Sequence, residues 1–165
     1  ADRPGEIWVS DITYIRTHER WLYLAAVLDI YNRAVVGWSL GPRLGEDLVL
    51  TALNQALLRH PVKTGLVFHA DRGGQYRGHQ MELLLLGHGI HLSLGRRGDC
   101  YDNAAMESFF STLKSELVNR IEFETEMEAR RRIYDYIEVY YNRQRRHTTL
   151  NYQTPVEYAS VEIHS

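Results

Sequence analysis

The sequence predicts an α/β domain, a mixed sheet covered by helices, on three observations. Apolar, β-branched and aromatic runs crowd the first 40 residues. Helix-periodic stretches then alternate with short apolar runs, and Gly- or Pro-bearing breaks separate the units. A chain of 165 residues that is 44% hydrophobic is the size of one domain and has enough apolar mass for a real core.

Residues 6–15 (EIWVSDITYI) are apolar, β-branched and aromatic, and predict the first strand. Residues 21–30 (WLYLAAVLDI) predict a second and 34–40 (AVVGWSL) a third, and the short Tyr31-Asn32-Arg33 connection makes these two a hairpin. In 46–59, apolar residues fall at 48, 49, 52, 53, 56 and 57, the spacing of one helix face, with Pro61 beyond the end. Residues 65–70 (GLVFHA) form a short apolar strand of the kind buried on both faces in a parallel pairing. A helix over 78–87 and a brief strand over 90–94 follow. A Gly- and Asp-rich loop, 95–102, leads into a helix over 103–118, and another helix covers 126–141. The tail, 142–165, reads as irregular and polar. The order β-β-β-α-β-α-β-α-α argues for one mixed sheet between helices, without internal repeats or low-complexity tracts.

Bulk properties narrow the function classes. A net charge of −2 and a pI near 6.5 exclude a simple basic DNA-binding module. Basic charge is instead concentrated: between Arg130 and His147, six arginines face only Asp135 and Glu138. Of the 19 basic residues only Lys63 and Lys114 are lysines. The longest apolar runs are far too short to span a bilayer, and no signal-peptide pattern opens the chain, so no membrane partner is expected. Cys100, the single cysteine, cannot form an internal disulfide, which suits a reducing cytoplasm. Without paired His/Cys spacing a structural zinc site is not expected. The polar lead-in Asp2-Arg3-Pro4-Gly5 reads as the start of a domain cut from a longer protein.

Three acids stand out. Asp11 lies inside the apolar first strand, where a charge is costly unless paired or metal-bound; a solvent-facing aspartate is the ordinary alternative. Asp71 follows the strand at 65–70 and opens a Gly-rich turn, the place where α/β folds present ligand groups and also where turn-forming aspartates are common. In the helix at 103–118, Met106, Phe109, Phe110, Leu113 and Leu117 share one arc, and Glu107 and Lys114 share the adjoining one. An ordinary solvated face would tolerate arginine, whereas a compact ammonium suits one phosphate or base contact. Converging carboxylates at ~4 Å repel by about 4 kcal/mol per pair at an effective dielectric of 20, so such a cluster implies bound cations. Oxygen-only ligands select Mg²⁺ or Mn²⁺, and two such ions suit in-line phosphoryl displacement.

Asp71 and Glu107 are separated by 35 residues, and Lys114 follows Glu107 by seven. With the blocks Trp8-Val9-Ser10-Asp11, LDIYNRAVVGW at 28–38, HADRGGQY at 69–76, GDCYDNAAMESFFSTLK at 98–114 and YNRQRRHTTLNYQTP at 141–155, the chain resembles D,D(35)E integrases and transposases, and most of all the second-frame transposases of IS-three-type bacterial insertion sequences. The resemblance implies a ribonuclease H-like fold, a five-stranded mixed sheet whose first three strands are antiparallel. It implies that Asp11, Asp71 and Glu107 are the catalytic metal ligands for two Mg²⁺ or Mn²⁺ ions, and that Lys114 contacts the DNA end. The implied chemistry is cleavage at element ends to free a 3′-hydroxyl, followed by attack of that hydroxyl on another phosphodiester. Implied partners are transposon-end and target DNA and further copies of the chain, in the nucleoid of a bacterial cytoplasm. One catalytic core over 1–165, with 142–165 as its tail, would lack the N-terminal DNA-binding domain of such proteins. Gly74 and Gly95 depart from the serine usual in similar sequences.

Further DNA contacts are expected from Arg96 and Arg97 beside the active site, from Tyr76, and from Arg143, Arg145, Arg146 and His147 through phosphates. A mobile loop, a turn-closing tyrosine and a charged helix end are the ordinary readings of these residues. Asp29 competes with Asp11 but is assigned a structural role at the hairpin, His69 the place of a packed strand histidine or a group behind Asp71, and Asp102 or Asn103 a helix cap. The competing functions are a ribonuclease H-like nuclease that only hydrolyses and a non-enzymatic DNA-binding or assembly module.

Overall fold

The computed structural model describes residues 1–62, 64–71, 73–95 and 100–161. Strands β1 (Ile7–Arg16), β2 (Trp21–Asp29) and β3 (Val35–Gly41) form an antiparallel meander. Strand β4 (Val67–Ala70) pairs parallel with β1, and β5 (His91–Leu94) parallel with β4, giving the order β3-β2-β1-β4-β5. This is the five-stranded mixed sheet expected from the sequence.

Strand alternation divides the sheet into two dry faces. Val9, Ile15, Leu22, Leu24 and Leu28 point to the side covered by α3 (Cys100–Glu116) and α4 (Glu126–Tyr134). Trp8, Ala25 and Val27 point to the other side, against α1 (Glu46–Arg59) and α2 (His79–Gly87). Helix α1 lies so close to β3 that a Cβ on Gly37 would strike the Ala52 carbonyl, which explains glycine in the middle of a strand.

Three boundaries differ from the sequence expectation. Helix α3 begins at Cys100, ahead of the expected start at 103, so Asp102 and Asn103 fall within its first turn rather than before it. The predicted helix over 126–141 is α-helical only to Tyr134 and continues as a π-helix, Asp135–Tyr141. The tail contains α5 (Pro155–Val161), held by a reciprocal capping box. There the Thr154 hydroxyl accepts from the Glu157 amide at 3.1 Å, and the Glu157 carboxylate accepts from the Thr154 amide at 2.9 Å.

The outer edge of β3 is occupied by side chains. The Asn142 amide accepts from the Val35 amide (2.9 Å) and donates to the Val35 carbonyl (3.0 Å). Gln55 accepts from the Trp38 amide at 2.8 Å, and Arg130 donates to the Leu40 carbonyl at 2.7 Å. At the other side of the meander, β4 accompanies β1 only from Ile7 to Ser10. The second half of β1 thus runs past the end of β4, and the acids stand at that step.

Candidate active site

The β1–β4 register brings two of the three acids together. Ser10 is paired with Ala70, so Asp11 and Asp71 are the next residues along on neighbouring chains, which lie about 4.8 Å apart. Alternation from Val9 on the α3 side sends Asp11 to the same side, and alternation from Phe68 and Ala70 on the α1 side places Asp71 there too. Helix α3 packs on β1 through Ala105, Met106, Phe109, Phe110 and Leu113. That apolar arc turns Glu107 toward its border, where it is exposed.

Electrostatics report the same convergence. Burial pushes the Asp11 carboxyl above its usual value, and the Asp71 and Glu107 carboxylates push it the same way. Only the Ile12 amide, donating to Asp11 Oδ1 at 2.8 Å, works in the opposite sense. Asp71 is fixed by its own turn, accepting from the Gly73 amide at 2.8 Å.

Among the described residues, no three His, Cys, Asp or Glu side chains are gathered tightly enough to enclose a metal as they stand. The donor set still fits hard cations: all three groups offer oxygen only, and a cation between them would relieve the like-charge field that raises Asp11.

Asp29 is buried and shares none of this. Its carboxylate accepts from the Gly5 amide (2.8 Å), the Tyr31 amide (2.9 Å) and Trp8 Nε1 (3.3 Å), which ties the chain start to the hairpin. The structural role read from the sequence stands. His69 is buried in β4 with Nδ1 2.9 Å from the Ser93 hydroxyl.

Lys114 lies on the Glu107 side of α3, two turns further on, and is half-buried in a cavity with Tyr14, Trp21 and Tyr23. Three of the expected DNA contacts need correction. Tyr76 is only 2% exposed; its ring faces Phe68 on the α1 side and its hydroxyl meets Ser10 Oγ at 3.1 Å, so it is a core group that closes the turn. Arg145 is held by Glu116 at 2.9 Å, and Glu116 also accepts from the Tyr136 hydroxyl at 2.6 Å, so this guanidinium is engaged inside the fold. His147 is buried edge-on against Tyr141, with burial and then Arg145 lowering its pKa, which opposes a phosphate-binding imidazolium.

Arg143 and Arg146 are exposed, but Arg143 lines a separate cleft with Gly5, Asp29, Arg59 and His60 at the amino end of β1, away from the acids. Arg96 and Arg97 lie outside the described residues, as do Lys63 and Asp99. The aromatic surround of Lys114 escaped sequence reasoning. Its only signal was tyrosine and tryptophan at positions 14, 21 and 23, flanking a predicted turn.

Comparison with solved structures defines the class. The fold matches the HTLV-2 integrase catalytic core domain in complex with magnesium, with a TM-score of 0.72 and 14% identity over 95% of this chain and 97% of that one. It matches the BIV integrase catalytic core domain at 0.71 and 19% identity over 97% of each chain. This is the ribonuclease H-like architecture of integrase catalytic cores.

Models of the integrase core domain match residues 1–100 and, in a second version, 88–155. The chain belongs to the integrase core domain family. It is 42% identical to the transposase for insertion sequence element IS904 of Lactococcus lactis subsp. lactis (strain IL1403), over 96% of this chain and 62% of that protein. It is also 42% identical to transposase InsF for insertion sequence IS3A of Escherichia coli (strain K12), over 99% of this chain and 57% of the relative. The chain thus spans about three-fifths of the length of these relatives. Among the described residues no helix is long and apolar enough to cross a membrane.

Proposed function

We propose that this chain is the catalytic core of a bacterial insertion-sequence transposase, with Asp11, Asp71 and Glu107 as the ligands of two Mg²⁺ or Mn²⁺ ions. The reading rests chiefly on one observation: acids from a strand, from the turn after its neighbour and from a helix border one point of the sheet, and two of them raise the pKa of the third. Kinship with the transposases of IS904 and IS3A, and the magnesium in the HTLV-2 core, point the same way.

Bound ions would activate the attacking oxygen and stabilise the leaving one in an in-line displacement at phosphorus. The chain's own part is placement. The β1–β4 register sets two carboxylates at a fixed spacing, α3 brings the third, and Lys114 holds a backbone phosphate of the DNA end. The reaction is cleavage at the element end to free a 3′-hydroxyl and transfer of that hydroxyl to a second phosphodiester. Exposed Arg143 and Arg146 supply phosphate contacts of lesser effect, and the active complex contains several copies bound to both element ends in the cytoplasm.

The test is end joining by the full-length transposase, with oligonucleotide ends and a plasmid target. Wild type should give strand-transfer products with Mg²⁺ or Mn²⁺ and none with chelator. Glu107→Gln joining ends as well as wild type would remove Glu107 from the site. Nicked ends without joined products would instead favour a hydrolytic nuclease.

A further inference from the structure

The two aspartates of the site are joined by less backbone than their closeness suggests. The last rung of the β1–β4 ladder pairs Ser10 with Ala70, and the ladder stops there. Asp11 and Asp71 are the residues just beyond it. Their separation therefore depends on that rung and on the turn that Asp71 opens.

The turn is closed by hydrogen bonds of its own. Asp71 Oδ1 accepts from the Gly73 amide at 2.8 Å, and the Gly73 carbonyl accepts from the Tyr76 amide at 3.1 Å. A Cβ on Gly73 would stand 3.3 Å from Asp71 Oδ1, so the turn lies tight against the carboxylate. From Gly74 to Tyr76 the chain makes a single turn of 3-10 helix against α1, which carries the Tyr76 side chain to the α1 side of the sheet. There its ring faces Phe68 of β4 at 6.2 Å, and its hydroxyl meets Ser10 Oγ at 3.1 Å. Ser10 Oγ in turn donates to the Ala26 carbonyl of β2 at 2.9 Å. That uses the one proton of the serine, so Tyr76 is the donor to Ser10. Two hydrogen bonds in series thus run from the end of the Asp71 turn, through β1, to β2.

Placement sets this pair apart from an ordinary buried tyrosine and its partner. Ser10 immediately precedes Asp11, and alternation puts its side chain on the α1 side, directly behind the acids. Tyr76 is 2% and Ser10 5% exposed, so neither is open to DNA. Burial raises the Tyr76 pKa, and beyond its Ser10 bond the Asp11 and Asp71 charges act in the same direction as burial. The hydroxyl therefore stays protonated and lies within the field of both acids. A phenylalanine would fill the same space without needing a partner. A hydrogen bond inside a fold adds little net stability, but a fully satisfied buried network fixes one arrangement.

That arrangement matters to a metal. Mg²⁺ demands near-ideal octahedral geometry, with its oxygens at about 2.0–2.1 Å. Groups that orient metal ligands from behind commonly change affinity or activity by about 10–100-fold when removed.

We propose that Tyr76 and Ser10 form a latch behind the acids that fixes Asp71 against Asp11, which makes both of them positioning residues for the divalent ions. The proposal rests on the reading of Asp11, Asp71 and Glu107 as metal ligands. Neither latch residue touches an ion or DNA; each acts through the aspartate it steadies.

The test uses full-length protein without DNA, titrated with Mg²⁺ in a calorimeter, and amide hydrogen exchange of the metal-free form. Tyr76→Phe should weaken Mg²⁺ binding about tenfold and speed exchange of the Gly73 and Tyr76 amides. Strand joining should fall about tenfold at limiting Mg²⁺ and recover as Mg²⁺ is raised. The latch governs how the ions are held and takes no part in the step at phosphorus. Ser10→Ala should reproduce these losses, and Ser10→Ala/Tyr76→Phe should be no worse than Ser10→Ala alone. A melting temperature well above that of the assay checks that each variant is folded.

Unchanged exchange in Tyr76→Phe overturns the proposal. So do independent losses, in which the deficit of the double variant is the product of the two single ones. A joining defect that no Mg²⁺ concentration repairs overturns it as well. Asp11→Asn separates the latch from the metal reading. Mg²⁺ binding abolished by Asp11→Asn but left within twofold of wild type by Tyr76→Phe keeps the metal reading and removes the latch. Mg²⁺ binding untouched by Asp11→Asn removes the metal reading, and faster exchange in Tyr76→Phe would then still support the hold on the turn.

Discussion

Two aspartates on adjacent strands, Asp11 in the middle of β1 and Asp29 at the end of β2, are both drawn into the fold, and burial raises the pKa of both. Their surroundings then act in opposite directions. Around Asp29, every further influence lowers the pKa: the Gly5 and Tyr31 amides, the Trp8 indole and the His60 charge. Around Asp11 there is one compensating amide, and the neighbouring acids add to the cost of ionisation. A carboxylate with its donors in place fastens a fold, whereas one set among like charges is held ready for a cation that the chain does not itself provide.

The most forceful way to break this comparison is to neutralise each partner. Asp11→Asn should lower strand joining by about 10³-fold or more, a loss of ~4 kcal/mol of transition-state stabilisation, when product formation is followed on gels. The same change should raise the melting temperature of the metal-free protein by about 2 °C, because it removes an unfavourable ionisation. A fall in melting temperature would show that Asp11 is as well satisfied as Asp29.

Asp29→Ala is the converse case. Three donors lose their acceptor, which should cost about 3 kcal/mol and lower the melting temperature by roughly 6–12 °C in calorimetry. Joining at a temperature where the variant stays folded should remain within about tenfold of wild type. Complete inactivity of a folded variant would move Asp29 into the site.

Acidity offers a subtler probe. The folded pKa of Asp11 lies above its unfolded value, so the metal-free fold holds this proton more tightly than the unfolded chain. Its contribution to stability is present at pH values below the ordinary aspartate range and declines as pH rises through the raised pKa. Metal binding has the opposite slope, because it needs the ionised form. Calorimetric titration with Mg²⁺ should show affinity falling on acidification, and falling already at a pH above the ordinary aspartate range. Affinity insensitive to pH down to about 4 would contradict the like-charge field at Asp11.

The contrast extends to the arginines, with the smallest expected effect. Arg145, bonded to Glu116, should cost about 1–2 kcal/mol of stability as Arg145→Ala. Arg146→Ala should leave stability within about 0.5 kcal/mol and lessen the salt dependence of DNA binding by about one phosphate contact. Equal effects of the two on DNA affinity would return Arg145 to the DNA-binding set.

The reach of the sequence follows the same physics. Hydrophobic periodicity is a strong local signal, so the sequence marks α1 at its observed ends and each strand within two residues. Likewise the inward arc of α3 was read correctly from Met106, Phe109, Phe110, Leu113 and Leu117, and with it the border position of Glu107. The tail departs from its irregular expectation, although Thr154, Pro155 and Glu157 spell a helix start, because a short helix offers too few turns for periodicity to register. Long-range partners were not legible. Nothing near Arg145 announces Glu116, and nothing in the turn at 71–76 sends the Tyr76 ring into the core beside Phe68.

The side chains that sit along the outer edge of β3 bear on how copies of this core meet. An unguarded edge strand is a template on which another chain can extend the sheet. Here Asn142, Gln55 and Arg130 already occupy the backbone groups of Val35, Trp38 and Leu40 that a docking strand would use. Each belongs to a helix or to the segment just after one, so the outer layer closes this edge of the sheet to growth. A second chain therefore cannot extend the sheet from the β3 side at these positions. That guards this edge against fibrous self-association.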